Sequence, residues 1–537
     1  MTKNEGRLLA RPAGAALAGL LVTLSLATAQ PVRITQPLDS SKSTVLIGNR
    51  TLQARPQDDQ GPLDIGQRIG GMTLVLKSSA SQAADLGKFL RQQRAPSSPS
   101  FHRWLTAEQY AERFGVGPPD LEKVTGWLES EGLRVDYVAR ARNWILFSGT
   151  AGHVEKAFQT PIHRFNVQGK RHFANSVDPS IPAAFDPVVS FIRGLDDFRV
   201  EPRGVPIADF TAGSGHFLVP GDLAIVYDVQ PLYQLGITGT GQKVAVVGQT
   251  DVQLSDIEHF RAEYGLPVND PRLVLVTGSS DPGISSDDLI ESDLDLEYAG
   301  GIAPNATVLF VYSTDVWTSL AFAIDQDLAP VISSSYGYCE PQISSSPAST
   351  AAYFQSLAQE GNAKGITWVA SSGDSGAADC DTTSKQMATQ GLAVDLPASI
   401  PEVTGVGGTE FAEGNGNYWA TTNNSNGSSA LSYIPEIAWN DTAAIGKLLA
   451  SGGGASIFFA KPAWQIDAGV PNDNARHVPD ISFAAAVAHD PYQIYTGGAP
   501  LYVGGTSAPA PVFAGMLALL NQYLEGASLI PSLGWET

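Results

Sequence analysis

Five short apolar runs alternate with helical stretches between residues 243 and 370, and this alternation limits the possible folds more than any other feature. The runs occupy residues 243–247, 273–276, 308–311, 331–334 and 366–370. They are apolar along their length, as expected of strands covered on both faces and therefore parallel. Parallel strands need crossover connections, and the helical stretches supply them. A doubly wound α/β sheet is predicted. Ligands of such sheets sit beyond the carboxyl ends of the strands.

The chain has 537 residues, room for two or three domains. Residues 1–200 carry 24 Lys and Arg against 18 Asp and Glu, whereas the remainder carries 9 against 36. So acidic a body repels nucleic acid and anionic membranes, and neither is expected as a partner. Its self-repulsion falls as carboxyls protonate, which suits acidic surroundings. The mildly basic front part could dock on it. Cys339 and Cys380 lack the spacing of a zinc or redox motif. They fit one disulfide in an exported protein, or two unpaired thiols.

Lys3, Arg7 and Arg11 precede an apolar run over residues 13–26, and Ala27-Thr28-Ala29 follows as a small-x-small cleavage pattern. The run is too short to span a bilayer. Residues 1–29 read as a secretory signal peptide, so a secreted protein is expected. Residues 30–205 read as a small α+β unit. Its strands fall at 72–76, 134–138 and 144–147, and its helices at 83–93, from Thr106 with Gln109 as a capping box, from Asp120 as a cap, and at 153–158. Residues 206–217, rich in Gly and small polar residues, read as a linker and maturation region. Residues 218–537 form the unit with the parallel sheet.

Three stretches of that unit carry candidate chemistry. Glu291 and Asp295 are four residues apart in a helical stretch, so their carboxyls stack on one face. Such neighbours repel, and one of them keeps its proton to higher pH. A solvated acidic face or a calcium loop would look the same. Asp293 and Glu297 are assigned to the helix surface. Asp374 follows an apolar run in Ser372-Gly373-Asp374-Ser375-Gly376, where Ser375 reads as a turn residue. Ser507 lies in Gly504-Gly505-Thr506-Ser507, ahead of an apolar helix over residues 512–520. A serine there can point into a cleft, or simply cap the helix. A subtilisin-like triad would need an Asp after the first strand and a His-Gly-Thr segment. Here the strand ends Gly248-Gln249-Thr250, and none of His259, His477 and His489 precedes Gly-Thr. A serine nucleophile would therefore need a carboxylate base.

These motifs together resemble the sedolisin and kumamolisin family of serine-carboxyl peptidases. Glu291-x-x-x-Asp295, Gly373-Asp374-Ser375-Gly376 and Gly505-Thr506-Ser507 with Pro511 match its three signatures in order. Ser98-Pro99-Ser100-Phe101-His102-Arg103-Trp104, Phe147-Ser148-Gly149-Thr150 and Ile181-Pro182-Ala183 resemble the activation domain of pro-kumamolisin. The resemblance implies a ferredoxin-like prodomain before a subtilisin-like peptidase domain. It implies Ser507 as nucleophile, Glu291 as base, Asp295 as its partner and Asp374 as oxyanion donor. Peptide hydrolysis is then expected to peak between about pH 3 and 5, because Asp374 must stay protonated. Tyr336 stands where the family often has Trp.

The implied partners are protein or peptide substrates and the chain's own prodomain, as inhibitor and chaperone; a monomer is expected. No cofactor is assignable. The family's structural calcium site would lie in a C-terminal segment absent from this chain, and residues 525–537 offer no such ligand set. A catalytically impaired, truncated relative acting as a secreted binding protein is the alternative expectation.

Overall fold

The computed structural model describes residues 30–39, 41–202, 205–207 and 216–526. The predicted signal peptide, residues 208–215 of the predicted linker and residues 527–537 lie outside the described residues.

The N-terminal unit is built on a four-stranded antiparallel sheet. Its order is Arg134–Val138, Trp144–Thr150, Arg68–Leu76, Val189–Arg193. Numbered along the chain, that order is 2-3-1-4, the arrangement of a ferredoxin-like unit. Helices Ala80–Arg94 and Ala107–Phe114 both begin with a complete capping box, Ser79 with Gln82 and Thr106 with Gln109. Each box satisfies orphan amides at its helix start. Asp120 does not cap its helix. That helix starts at Pro118 behind Gly117, and Asp120 instead accepts the amides of Arg33 and Ile34 at 2.7 and 3.0 Å.

The second unit holds the parallel sheet. The strands run Arg272–Leu275, Thr307–Tyr312, Lys243–Gly248, Val331–Ser334, Thr367–Ser371, Thr404–Phe411, and all of these pair in parallel. Ile481–Ala484 adds in parallel to the last strand, and Glu436–Ala438 adds antiparallel. Both faces are covered, as the apolar runs require. Val244 and Val246 pack with Leu294, Tyr298 and Val512 on one side. Ala245 and Val247 pack with Trp317, Leu320 and Phe354 on the other. Burying each such large side chain contributes roughly 1.5–3 kcal/mol.

The N-terminal unit docks on that second face, where its Val75, Trp144 and Leu146 join the same apolar cluster. Polar contacts fix the register. Asp325 accepts the Tyr137 hydroxyl at 2.5 Å and the amides of Arg140 and Ala141 at 3.0 and 2.9 Å. Asn143 Nδ2 donates to Glu360 Oε2 at 2.6 Å, and Arg193 pairs with Asp315 at 3.1 Å. Cations and donors of the basic half thus meet carboxylates of the acidic half.

Two features near the site complete the frame. A hairpin, Tyr492–Thr496 with Ala499–Gly504, leads directly into the Ser507 turn. Val205–Ile207, within a stretch whose composition reads as linker, pairs antiparallel with that hairpin, Val205 opposite Gly504. Cys339 and Cys380 form a disulfide, with their Cα atoms 5.0 Å apart. Among the described residues no helix is long and apolar enough to cross a membrane.

Candidate active site

Glu291 and Asp295 lie on helix Ser286–Ile302, which is buried on all sides from Glu291 to its end. It is sandwiched between the sheet, the hairpin and helix Pro509–Gly526. The expected surface position of Asp293 and Glu297 is therefore wrong: they are 0% and 1% exposed. The reason is tertiary. The hairpin closes over that side, and Tyr495 N donates to both Glu297 oxygens at 3.1 Å. Burial pushes Asp293 up to about 8, with the Thr496 hydroxyl opposing and the Asp256 charge adding. Glu297 is also held well above the ordinary carboxyl range, by burial and then by Asp293.

Asp295 is 1% exposed. Burial holds its carboxyl well above the ordinary range, the Glu291 charge raises it further, and the Ser335 hydroxyl opposes both. The buried pair therefore holds a proton more tightly than two separate carboxyls would. Ser335 Oγ donates to Asp295 Oδ1 at 2.8 Å and lies 3.5 Å from the Ser507 carbonyl oxygen. The Ser335 side chain thus stands between Asp295 and the serine turn, with its proton given to Asp295.

Ser507 is 0% exposed and sits two residues before helix Pro509–Gly526. Gly505, with φ +107°, supplies the left-handed residue that turns the strand into the helix. Ser507 Oγ makes no hydrogen bond within the described residues. The Ser507–Glu291 bond expected of a triad is not formed here. Such bonds are often long before substrate binds and tighten in the complex.

Asp374 follows strand Thr367–Ser371, and Gly373 makes the turn with φ +96°. Its Oδ1 accepts the Thr506 amide at 2.7 Å and the Thr506 hydroxyl at 2.9 Å. Thr506 Oγ1 in turn accepts Gly373 N at 3.1 Å. The strand end carrying Asp374 and the turn carrying Ser507 are locked together. Ser375 is a turn residue, bridged to Ala450.

Histidine takes no part. His477 and His489 face Asp473 and Asp490, and His259 lies beside Glu263 and stacks on Tyr495. Among the described residues, one group has ligand atoms close enough to hold a cation, Glu413, His489 and Asp490, and it includes none of the four candidate residues.

A neighbouring set was not legible in the sequence. Asp288 accepts Tyr336 OH at 3.0 Å, Gln249 Nε2 at 2.9 Å and Ser285 Oγ at 2.8 Å. Tyr336, buried among Asp288, Glu291 and Asp295, is held protonated well above the ordinary phenol range, chiefly by burial. No local motif marks this set, because its members come from three separate strand ends and helix starts.

Known proteins share this organisation. The pro-kumamolisin activation domain matches residues 57–198, and the subtilase family matches residues 276–535. Kumamolisin of Bacillus sp. (strain MN-32) is 29% identical over 516 residues, covering 90% of this chain and 86% of the relative. Sedolisin of Pseudomonas sp. (strain 101) is 29% identical over 467 residues, covering 83% and 76%. The chain belongs to the sedolisin and kumamolisin family. Tripeptidyl-peptidase 1 of Canis lupus familiaris is a further relative, 27% identical over 490 residues, covering 84% and 78%. This sedolisin-family chain joins a subtilisin-like α/β domain to an N-terminal activation domain, the organisation of a serine protease made as a zymogen.

Proposed function

We propose that the protein is the secreted precursor of an acid-acting serine endopeptidase. Ser507 is the nucleophile and Glu291 the general base. Asp295 orients Glu291 and shares a proton with it. Asp374, protonated in acid, donates to the oxyanion. One observation carries this reading: buried Asp295, one turn from Glu291 on the same helix, accepts the Ser335 hydroxyl at 2.8 Å, and that hydroxyl oxygen lies 3.5 Å from the carbonyl of Ser507.

The chemistry is acyl transfer. Ser507 Oγ bonds to the scissile carbonyl carbon as its proton passes to Glu291. The carbonyl oxygen takes up negative charge and receives a hydrogen bond from Asp374. Oδ1 of Asp374 already accepts two hydrogen bonds from Thr506, so the acid's proton belongs on Oδ2. Glu291 then gives its proton to the departing amine. Water resolves the acyl-enzyme by the same steps. A preorganised donor of this kind is worth about 2.7–4 kcal/mol of barrier. The proposed steps call on side chains alone.

The same reading makes the N-terminal unit the inhibitor. Val205–Ile207 occupies the edge of the hairpin that runs into the serine turn. Acidification of purified precursor tests the proposal. Self-cleavage between residues 200 and 217, lost in Ser507→Ala, is expected. A precursor that stays whole at every acid pH would refute it.

A further inference from the structure

Gln249 directly follows strand Lys243–Gly248 of the parallel sheet and is 1% exposed. Its side-chain amide makes two contacts of different permanence. Nε2 donates to Asp288 Oδ1 at 2.9 Å, within the peptidase unit. It also donates to the Val200 carbonyl at 2.8 Å, in the segment that follows the activation domain. Oε1 is fixed by the amide of Val316 at 3.4 Å. Asp288 is anchored in turn by Ser285 and Tyr336, and it precedes Glu291 by one helical turn.

Beyond Val200 the chain meets the site at two further points. Pro202 bridges the backbone of Tyr336 antiparallel, and Val205 lies opposite Gly504, three residues before Ser507. Val200, Pro202 and Val205 thus meet, in that order, Gln249, Tyr336 and the strand that ends at the serine turn. Val200 is at Gln249, and Val205 is opposite Gly504 in the strand that leads into the Ser507 turn. When this segment leaves, a buried and pre-aimed N–H loses a main-chain acceptor, which is costly to leave unfilled.

We propose that Gln249 is a substrate-binding residue of the mature enzyme. Its side-chain amide donates to a main-chain carbonyl of the peptide, on the amino-terminal side of the scissile bond, where the Val200 carbonyl sits in the precursor. Asp288 is the positioning residue that holds it there. Recognition of a main-chain carbonyl favours length over side-chain identity, so this contact rewards peptides extended on their amino-terminal side. The inference rests on the peptidase reading above.

The test uses mature enzyme from acidified precursor and two substrates, a long peptide and the same peptide shortened at its amino terminus. Gln249→Leu raises KM for the long peptide about tenfold, the worth of one hydrogen bond, with little change in kcat and none in KM for the short peptide. Gln249→Glu, which keeps the size, donates only while its new carboxyl is protonated. With one proton to share between Asp288 and the peptide, its KM for the long peptide lies above wild type at the acid end and climbs further as pH rises. Equal losses for both peptides, or an unchanged KM for the long one, would overturn the assignment of Gln249 alone. A wild-type enzyme inactive on both would overturn the peptidase reading, and this inference with it.

Discussion

Thr506 donates to Asp374 twice, through its amide at 2.7 Å and through its hydroxyl at 2.9 Å, and both bonds end on Oδ1. Thr506, next to Ser507, therefore sets the orientation of the Asp374 carboxyl, the oxyanion donor of the proposed mechanism. A neutral Asp374 held in this way has one oxygen committed as acceptor and the other as donor. Asp374→Ala should lower kcat by about 10²–10³, the usual cost of losing an oxyanion donor. Asp374→Asn keeps an N–H that does not titrate, so its remaining activity should lose the alkaline fall of the wild-type profile. Rates from pH 3 to 8 on one chromogenic peptide distinguish the two variants.

Ser335 lowers the proton affinity of Asp295, against burial and the Glu291 charge, which both raise it. Removing the hydroxyl leaves the two raising influences alone. Ser335→Ala should therefore move the titration of the carboxylate pair to higher pH, and with it one limb of the kcat/KM profile. A loss of several-fold in kcat is expected from one missing hydrogen bond. A variant with an unmoved profile would detach Ser335 from the pair.

Asp293 bears on stability. Its folded value of about 8 lies above the ordinary carboxyl range near 4, so the folded state prefers the neutral acid. The stability it contributes is intact below that ordinary range and is lost as pH rises toward its folded value. Asp293→Asn should leave Tm unchanged at acid pH and raise it near neutrality. Calorimetry at the two pH values checks this. A variant less stable at both would mean that the carboxyl is needed for its shape.

Arg193 and Asp315 join the two halves of the precursor at 3.1 Å, with the guanidinium near the rings of Tyr353 and Phe354. Asp315→Asn leaves that cation without its anion. Docking should weaken by roughly 1.5–3 kcal/mol, the worth of a charge-assisted hydrogen bond. Self-processing should then begin at higher pH than in the wild type, as a time course on denaturing gels would show.

Much of the frame could be read from the letters, for physical reasons. Strands buried on both faces are apolar throughout, so Lys243–Gly248 and Thr307–Tyr312 announce themselves. Capping boxes are local, so the start at Thr106 was visible. Asp120 was misread because its partners, Arg33 and Ile34, lie far away in sequence. The same limit hid the burial of Asp293 and Glu297. A helix dense in carboxylates looks solvated until the hairpin that covers it, some two hundred residues later, is in place. Residues 206 and 207 read as linker, and the strand they join is hidden because its pairing strand is equally remote. The spacing of Glu291 and Asp295 was legible. The link from Asp295 through Ser335 to Ser507 was not, since only the folded sheet brings those three segments together.

The central claim is that a carboxylate, not an imidazole, activates Ser507. The most direct measurement is kcat/KM of wild type and Glu291→Gln on one peptide from pH 3 to 8. The account predicts a wild-type maximum between about pH 3 and 5 and a Glu291→Gln variant reduced by more than about a thousandfold throughout. A wild-type optimum above neutrality, or a Glu291→Gln variant that keeps most of its activity, would contradict it.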